Sequence, residues 1–549
     1  MKSVQLAILS LLASAPAYAQ LDNTVEVTSE IKPVVTEAQK VDVKTQAVKT
    51  EVKHYTMPYA VQGKPFTDFT ASPLSHYSSK EIDRGNKKGH LRMGGGSHGN
   101  LDAQAIYQFD ITTLDALTLD LSLSGFKGKT GKDERYGDTD WTSRFYTNSS
   151  SLQYTHHLSN GADLYAKGTY ANQLFNYRGA ATVTDKQHNV MFDATVGLTP
   201  YTAGSLTIEG EVAAKVFSQN YHTNLQKKLG ETQFLAEGAA SYAFTSNHGA
   251  GIEISATRFN YRNDELKDHT CLSFAPHYTY TDETIRLRLG VFTNIEGDIA
   301  PDIAFAYTID KTSEVYFQAR GYELENEMRY LAALNPYFIL ATPADEPLEA
   351  NDEFHQVDAR LGYRFKTKSG ISADIYGGYD MSENHADIFS VTPLRDGRCM
   401  PVLEFKKNKN IYFGAEFQYS YRDFLKLTGR NRLNIESTRQ PWGWTEGSYI
   451  TPAFTMDWQL DLRLVKDLYL GIDWQLDCYS LPKLEGKHPY ALERKNTVLL
   501  GADLRYTLPL DFPATIFVRG DNLFCQKYDR YYGYQAPSAN VMAGFALSF

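Results

Sequence analysis

The chain has 549 residues and a formal net charge of −10, from 55 Lys and Arg against 65 Asp and Glu. Its mean hydropathy of −0.41 excludes a protein that crosses a membrane with helices. The acidic balance argues against a nucleic-acid partner, because phosphate binding needs clustered Lys and Arg. The 37 tyrosines join an apolar ring to a polar tip, which suits a boundary between water and lipid.

The N-terminus predicts export from the cytoplasm. Lys2 supplies a positive start, residues 4–13 form a short apolar core, and Ala17-Tyr18-Ala19 matches an A-x-A cleavage signal. We therefore predict that residues 1–19 are a cleaved secretory signal peptide. Residues 20–87 follow as an extended periplasmic segment, since their Val-, Thr-, Lys- and Glu-rich first half cannot bury a core.

From about residue 88 to residue 549, apolar and polar residues alternate with a period of two. In 117–124 every second residue is Leu, and in 454–464 and 468–477 apolar residues alternate with Asp, Gln and Arg. This is the side-chain period of a β-strand. A soluble sandwich gives the same alternation, but segments of ~10 residues or more have the length of a tilted membrane strand.

Counting back from the C-terminus places about 22 such strands, within a range of 16–22, and the connections alternate in length. Tight links rich in Asn, Gly, Asp and Pro fall on one side. Short periplasmic turns opposite long extracellular loops are typical of outer-membrane barrels. We therefore predict an all-β, closed transmembrane antiparallel β-barrel at 88–549, in the outer membrane of a Gram-negative cell. The predicted long loops are 127–140, 176–186, 218–230, 323–353, 382–410, 437–447, 482–494 and 525–539.

The polar face of each strand is predicted to line the lumen. We interpret its mixed charges as a wet lining whose members solvate one another, with a dedicated substrate path as the alternative. The predicted lumen residues include Asp102, Asp120, Glu209, Glu211, Lys215, Arg286, Arg288, Arg320, Asp461, Arg463, Asp503, Arg505 and Arg519.

The C-terminal segment carries the most specific motif. A strand ends in Asn-Leu-Phe, a Lys-Tyr pair and a Gly/Pro-rich loop follow, and the last strand ends in Phe. The motif resembles the C-terminus of TonB-dependent receptors, and the resemblance implies a 22-stranded barrel. In physical terms, we expect the Asn to cap the exposed strand end, with the Leu and Phe that follow it in the outer interface. The last strand, ending in Phe, also looks like the C-terminal signal by which outer-membrane barrels are recognised for assembly. The matching positions are Asn522, Leu523, Phe524, Lys527, Tyr528, Gly533, Tyr534, Pro537 and Phe549.

The N-terminal segment departs from that family. Its stretch Thr24, Val25, Glu26, Val27 and Thr28 resembles a TonB box, which adds as a strand to TonB. A full receptor places a globular plug between box and barrel, whereas residues 20–87 offer at most a minimal plug.

A lumen set by about 22 strands is wide. We expect residues 54–87, the loops 323–353 and 382–410, or a partner protein to fill it. The aromatic loop 323–353, with Tyr330, Pro336, Tyr337 and Phe338, is interpreted as a packed lid, the alternative being a surface for a ligand or partner.

No arrangement for catalysis, a cofactor or a metal emerges from the sequence. There is no G-x-S-x-G, H-E-x-x-H or P-loop, and the four cysteines lie too far apart for zinc spacing. We expect no enzyme.

Three functions remain. The first is TonB-dependent-receptor-like transport of a nutrient or other solute across the outer membrane. The second is a barrel subunit or scaffold of an envelope complex, and the third is a passive porin-like channel. The expected partners are outer-membrane lipid, the barrel-assembly machinery, and TonB or another envelope protein.

Overall fold

Antiparallel strands form one closed barrel of 22 strands, which confirms the predicted fold class. Each strand pairs with its neighbours in chain order, and the last pairs with the first, where Phe545 lies opposite Met93. The barrel strands are β1 (Gly89–Gly96), β2 (Leu101–Asp110), β3 (Asp115–Lys129), β4 (Thr142–His157), β5 (Asp163–Asn176), β6 (Lys186–Ala203), β7 (Leu206–Asn220), β8 (Gly230–Ala243), β9 (His248–Tyr261), β10 (His269–Thr281), β11 (Ile285–Asn294), β12 (Ile299–Asp310), β13 (Ser313–Leu324), β14 (Glu353–Lys366), β15 (Ile371–Pro393), β16 (Cys399–Tyr421), β17 (Leu425–Gln440), β18 (Phe454–Val465), β19 (Leu468–Cys478), β20 (Thr497–Leu508), β21 (Ala514–Asp521) and β22 (Asn540–Ser548).

Short segments in the connections complete the regular structure. They are one α-helix, α1 (Met328–Leu334), a 3-10 turn at Ser97–Gly99, and short strands at Ile339–Leu340, Gly443–Glu446, Asp529–Tyr531 and Tyr534–Gln535. The computed structural model describes residues 88–549 apart from 130–140, 160, 179–185, 221–228, 263–265, 341–352, 394–398, 423, 441–442, 482–493 and 511.

The signal peptide, the TonB-box-like residues and the candidate minimal plug, all predicted within 1–87, lie outside the described residues. Within the described part of the chain, no helix is long and apolar enough to cross a membrane.

The connections sort by length to the two ends of the barrel. Tight turns such as 204–205 and 311–312 lie at one end, which we call the turn end, and the long connections lie at the other, the loop end. At the turn end, the Asp282 carboxylate accepts backbone hydrogen bonds from Thr284 and Ile285 at 2.7 and 2.6 Å. The hydrogen bond that the Tyr280 hydroxyl donates at 2.7 Å, together with these backbone bonds, lowers the pKa of Asp282. Such local bonds hold a tight turn.

The outward face of the wall is apolar. Alternate residues of each strand expose large apolar side chains, in agreement with the predicted period of two. Water would make such a surface costly, whereas lipid suits it, and a closed barrel pairs every wall strand on both edges, as lipid requires. Among the most exposed are Phe192, Val196, Val212, Phe234, Ile375, Phe413 and Val518.

The inward face carries paired charges. Asp302, 1% exposed, accepts hydrogen bonds from Arg288 at 2.7 Å and from Arg320 at 2.8 Å. Arg505 lies 2.7 Å from Asp503 and also contacts Asp461. The mixed charges therefore solvate one another, as predicted from the sequence.

Tyrosine rings lie flat on glycines along one sector of the inner wall. A methyl group added to any of three glycines would come within 2.3 Å of the tyrosine ring on the paired strand. The Arg360 guanidinium carbon lies 3.4 Å from the centroid of the Tyr376 ring, so the ring supports a cation as well as the wall. The pairs are Tyr316 over Gly362, Tyr376 over Gly414 and Tyr412 over Gly378.

The loop predicted at 382–410 is wrong. β15 and β16 are 23 residues each, and their hairpin extends through most of that range. Register shifts fall between Ser382 and His385 and again after Ile388, and Asn384 has φ 57°. These bulges interrupt the two-residue alternation from which the strands were predicted.

Candidate functional site

A segment folded into the loop end of the lumen is the main candidate site. We call residues 325–340, which connect β13 towards β14, the cap. Met328, Leu331, Ala332 and Phe338 of the cap are completely buried. They pack in one cluster with inward residues of β6 and β7, and with residues of β15 and β16 on the far side of the barrel. The wall members of this cluster are Met191, Phe217, Ala386 and Leu403. The cap therefore crosses the mouth and contacts opposite walls.

The central part of the cap is helix α1. Its sequence MRYLAAL consists mostly of residues that favour a helix, and Pro336 follows its end. A helix of seven residues is not stable alone in water, so packing must hold it. Just beyond it, the Asn335 amide donates a hydrogen bond to the Tyr532 carbonyl at 3.3 Å, which links the cap to the connection before β22.

Arg329 attaches the helix to the wall. Its guanidinium donates two hydrogen bonds to the Asp193 carboxylate on β6, one of them at 2.7 Å. Burial opposes the charge, but the bond to Asp193 and the charge of Glu327 raise the pKa of Arg329 overall. The pair is bidentate, the strongest geometry for an arginine and a carboxylate.

Further polar bonds continue along β7, β8 and β9. The backbone N–H of Met328 donates to Glu231 at 3.0 Å, and Lys215 lies 4.0 Å from Glu327. The Glu325 carboxylate accepts hydrogen bonds from the side chains of Gln233 and Thr257. One side of the cap is thus held by ions and hydrogen bonds.

An aromatic cluster holds the other end of the cap. Tyr337 stacks on Tyr534 with ring centroids 3.5 Å apart, and Trp141 meets Tyr534 edge-on at 5.6 Å. Burial raises the pKa of Tyr337, which stays a neutral phenol. Tyr337 and Phe338 are 2% and 0% exposed, so the interpretation of this loop as a packed lid agrees with the structure. We call this the rim cluster: Phe126, Trp141, Phe145, Phe175, Tyr177, Tyr337, Ile339, Val402, Tyr531 and Tyr534.

Residues of the C-terminal motif contribute to this closure. Gly533 has φ 87°, a conformation that favours glycine, in the tight turn between Tyr531 and Tyr534 of the rim cluster. Tyr528 is 6% exposed and packs with Leu499. Burial raises the pKa of Tyr528.

The other motif residues lie at the ends of β21 and β22. Asn522 has φ 49°, and its side chain both accepts from the N–H of Gln526 at 3.0 Å and donates to its carbonyl at 2.8 Å. Leu523 and Phe524 are 42% and 58% exposed. Phe549 bonds through its backbone to Gly89 at 2.8 and 3.1 Å, at the seam that closes the barrel. Their roles in assembly stay predictions.

The pairing of Arg329 with Asp193 was not predicted from the sequence. The two residues are 136 positions apart, and neither segment contains a local pattern that singles out its charged residue. The alternation along β6 predicts that Asp193 faces the lumen, but it does not predict the residue with which Asp193 pairs.

Histidines and carboxylates near the mouth pair with one another. His385 lies 2.8 Å from Glu353 and 3.2 Å from Glu436, and His355 lies 2.6 Å from Asp380. In the described residues, no group of three or more His, Cys, Asp or Glu is arranged to hold a metal ion.

Comparison with known proteins finds solved structures with a similar fold. No family model matches the sequence, and no curated protein matches it. Among solved structures, the FrpB iron transporter from Neisseria meningitidis is similar with a TM-score of 0.63 at 10% identity, over 85% of this chain and 82% of the transporter. The siderophore receptor PirA from Acinetobacter baumannii gives 0.61 at 11% identity, over 84% and 80%.

The ferric-catecholate import receptor Fiu from E. coli K12 gives a TM-score of 0.59 at 10% identity, over 84% of this chain and 82% of the receptor. Identities this low establish the fold and leave substrate and partners open. The chain therefore has a barrel of the kind found in TonB-dependent receptors, as its C-terminal motif implied.

Proposed function

We propose that the chain is an outer-membrane barrel that transports a nutrient or other solute, and that the cap is its gate. The observation that carries this proposal is a wide barrel, apolar outside and charged inside, whose mouth is crossed by a segment of its own chain. The bonds between the cap and β6–β9 are ionic and polar, so water can replace them when the cap leaves.

The similar structures support uptake as the direction. Their names describe import of ferric catecholates, transport of iron and transport of copper. By analogy, the loop end faces outward, and the turn end and residues 20–87 face the periplasm. Thr24–Thr28 is then the segment that TonB binds, and the barrel is a transporter rather than an enzyme.

The first test is conductance of the full chain in a planar bilayer. We expect the wild type to be silent and Arg329→Glu to conduct, because the substitution sets two carboxylates against each other where the cap helix meets β6. Asp193→Arg should conduct as well. The double variant D193R/R329E restores an ion pair in reverse and should be silent again.

The matched control is Arg258→Glu. Arg258 lies 3.8 Å from Asp268 on the outside of the barrel and does not contact the cap. A wild type with large, steady conductance would contradict the gate and favour a porin-like channel. If the single variants stay silent even without residues 20–87, the cap is not a gate and a scaffold role is favoured.

A second test concerns TonB. Deleting residues 24–28 should abolish energised uptake and leave the conductance of R329E unchanged, because the segment lies outside the barrel strands. Solute uptake into cells, measured with and without a working TonB, separates the two outcomes. Uptake that persists after the deletion would contradict the assignment of these residues.

A further inference from the structure

A row of cations crosses the outside of four neighbouring strands near the loop end. Lys127 of β3 lies opposite Arg144 of β4. The N–H of Arg144 donates to the Asn176 side chain of β5 at 2.8 Å, and Asn176 lies opposite Lys186 of β6. We call Lys127, Arg144 and Lys186 the cationic row. Across three strand spacings the row is about 14 Å long.

The three side chains point away from the lumen. Each lies an even number of positions from large exposed residues of its own strand, and alternate residues share a face. Lys127 and Lys186 are exposed, and Arg144 is half-buried. The exposed apolar residues on the same outward faces are Leu121, Leu152, Phe192 and Val196.

The height of the row matches a membrane boundary. Tyr154, 40% exposed near the turn end of β4, is ten positions from Arg144. Ten residues rise about 33 Å along a strand, or about 25 Å along the barrel axis at a typical tilt. That distance is the thickness of the apolar band of an outer-membrane barrel. The outward Tyr146 lies just below Arg144, where interfacial aromatics are expected.

The row differs from three other outward cations near the loop end, each of which has a partner. Lys407 pairs with Glu383, Arg258 lies 3.8 Å from Asp268, and Lys409 lies 4.2 Å from the centroid of the Trp444 ring. Among the described residues, no member of the cationic row is in an ion pair. Lys127 and Arg144 instead face each other across a strand pair, where like charges are destabilising. An anion between them would remove that cost.

We propose that the cationic row binds the phosphate groups of a glycolipid in the outer leaflet. The proposal rests on the proposed function, since it needs the apolar band in the outer membrane with the loop end outward. Arg144 offers a planar fork that fits phosphate, and the lysines add point charges. Arg144 and Lys186 are two strand spacings apart, about 10 Å, so one headgroup with two phosphates reaches both. Its acyl chains then lie along the exposed apolar residues below.

The test compares lipid retention by the full-length protein. The probe is lipid A with both phosphates, added to purified protein in mild detergent and counted by native mass spectrometry. We expect the wild type to retain lipid A and the triple variant K127Q/R144Q/K186Q to bind it at least tenfold more weakly. Lipid A without phosphates should bind the wild type as weakly as the triple variant binds the phosphorylated form.

The control is K407Q/R258Q, which removes the same kind of charge where a carboxylate partner exists. It should retain lipid A like the wild type. Arg144→Lys keeps the charge but loses the planar guanidinium. If the triple variant fails to fold, this single variant tests the site, and we expect it to retain lipid A at a level between the wild type and no binding. Equal retention by wild type and triple variant, or equal competition by phosphatidylglycerol, would overturn the proposal. Absence of the protein from outer-membrane fractions would instead remove the proposed function, which separates the two failures.

Discussion

The two halves of the lumen are built differently. At the loop end, apolar and aromatic side chains from the cap meet those of the wall and close the mouth. Towards the turn end, the wall carries paired charges, such as Arg505 with Asp503, and tyrosine rings that lie flat on glycines. The outer half is built to exclude water, and the inner half is built to hold charge in its presence. Changes in the first should therefore open the barrel, and changes in the second should weaken the wall without opening it.

The largest effect is expected from Ala332→Asp. Ala332 is completely buried in the cap, and burying a carboxylate there without a partner costs several kcal/mol, about as much as the packing provides. The bilayer conductance should rise at least tenfold while the barrel stays folded. Ala333→Asp is the matched control, because Ala333 is the next residue of α1 and is exposed. Equal conductance of the two variants would contradict the cap as the barrier.

Tyr337→Ala tests the aromatic end of the cap. Losing the ring that stacks on Tyr534 should cost about 3–5 kcal/mol, the usual range for a buried aromatic. Hydrogen exchange of the backbone over residues 328–340 should become faster. Tyr337→Phe keeps the ring and should exchange like the wild type, and faster exchange in that variant would show that the hydroxyl matters instead.

On the charged wall, Asp302→Asn removes the buried carboxylate that Arg288 and Arg320 share, and leaves them only the half-buried Glu253. The free energy of unfolding should fall by about 3 kcal/mol, since both partners lose a buried ion pair. The urea midpoint measures this. The bilayer should stay silent, and a conducting variant would break the contrast between the cap and the charged wall.

The smallest effect is expected from Gly378→Ala. Its methyl group would lie 2.3 Å from the Tyr412 ring and 2.6 Å from the backbone oxygen of Ala359, so the ring and the strand must both shift, at a cost of about 1–3 kcal/mol. The urea midpoint should fall accordingly. Gly168→Ala on β5 meets nothing within 4 Å and serves as the control. A midpoint for G378A equal to that of G168A would show that the tyrosine ring yields freely.

The wall was predictable because its signal is local. In segments such as 117–124, apolar and polar residues alternate because one face of the strand contacts lipid and the other faces the lumen. Each strand repeats this pattern within its own residues. The hairpin extension at 382–410 escaped prediction because bulges near Asn384 break that period. For the site, the aromatic residues of 323–353 indicated a lid, but Asp193 and Tyr534, which hold it, are determined by contacts between distant segments. No local pattern contains that information.

The cap also constrains the order in which the chain reaches its final form. It lies between β13 and β14 in the sequence, but Asn335 bonds to Tyr532, 197 positions later. Contacts over such separations form late, because their loop-closure entropy must be offset first. The middle of the chain must therefore wait for the connection before β22, which reaches the mouth only with the last strands. Under the proposed gate function, we expect the barrel to leak until the cap docks.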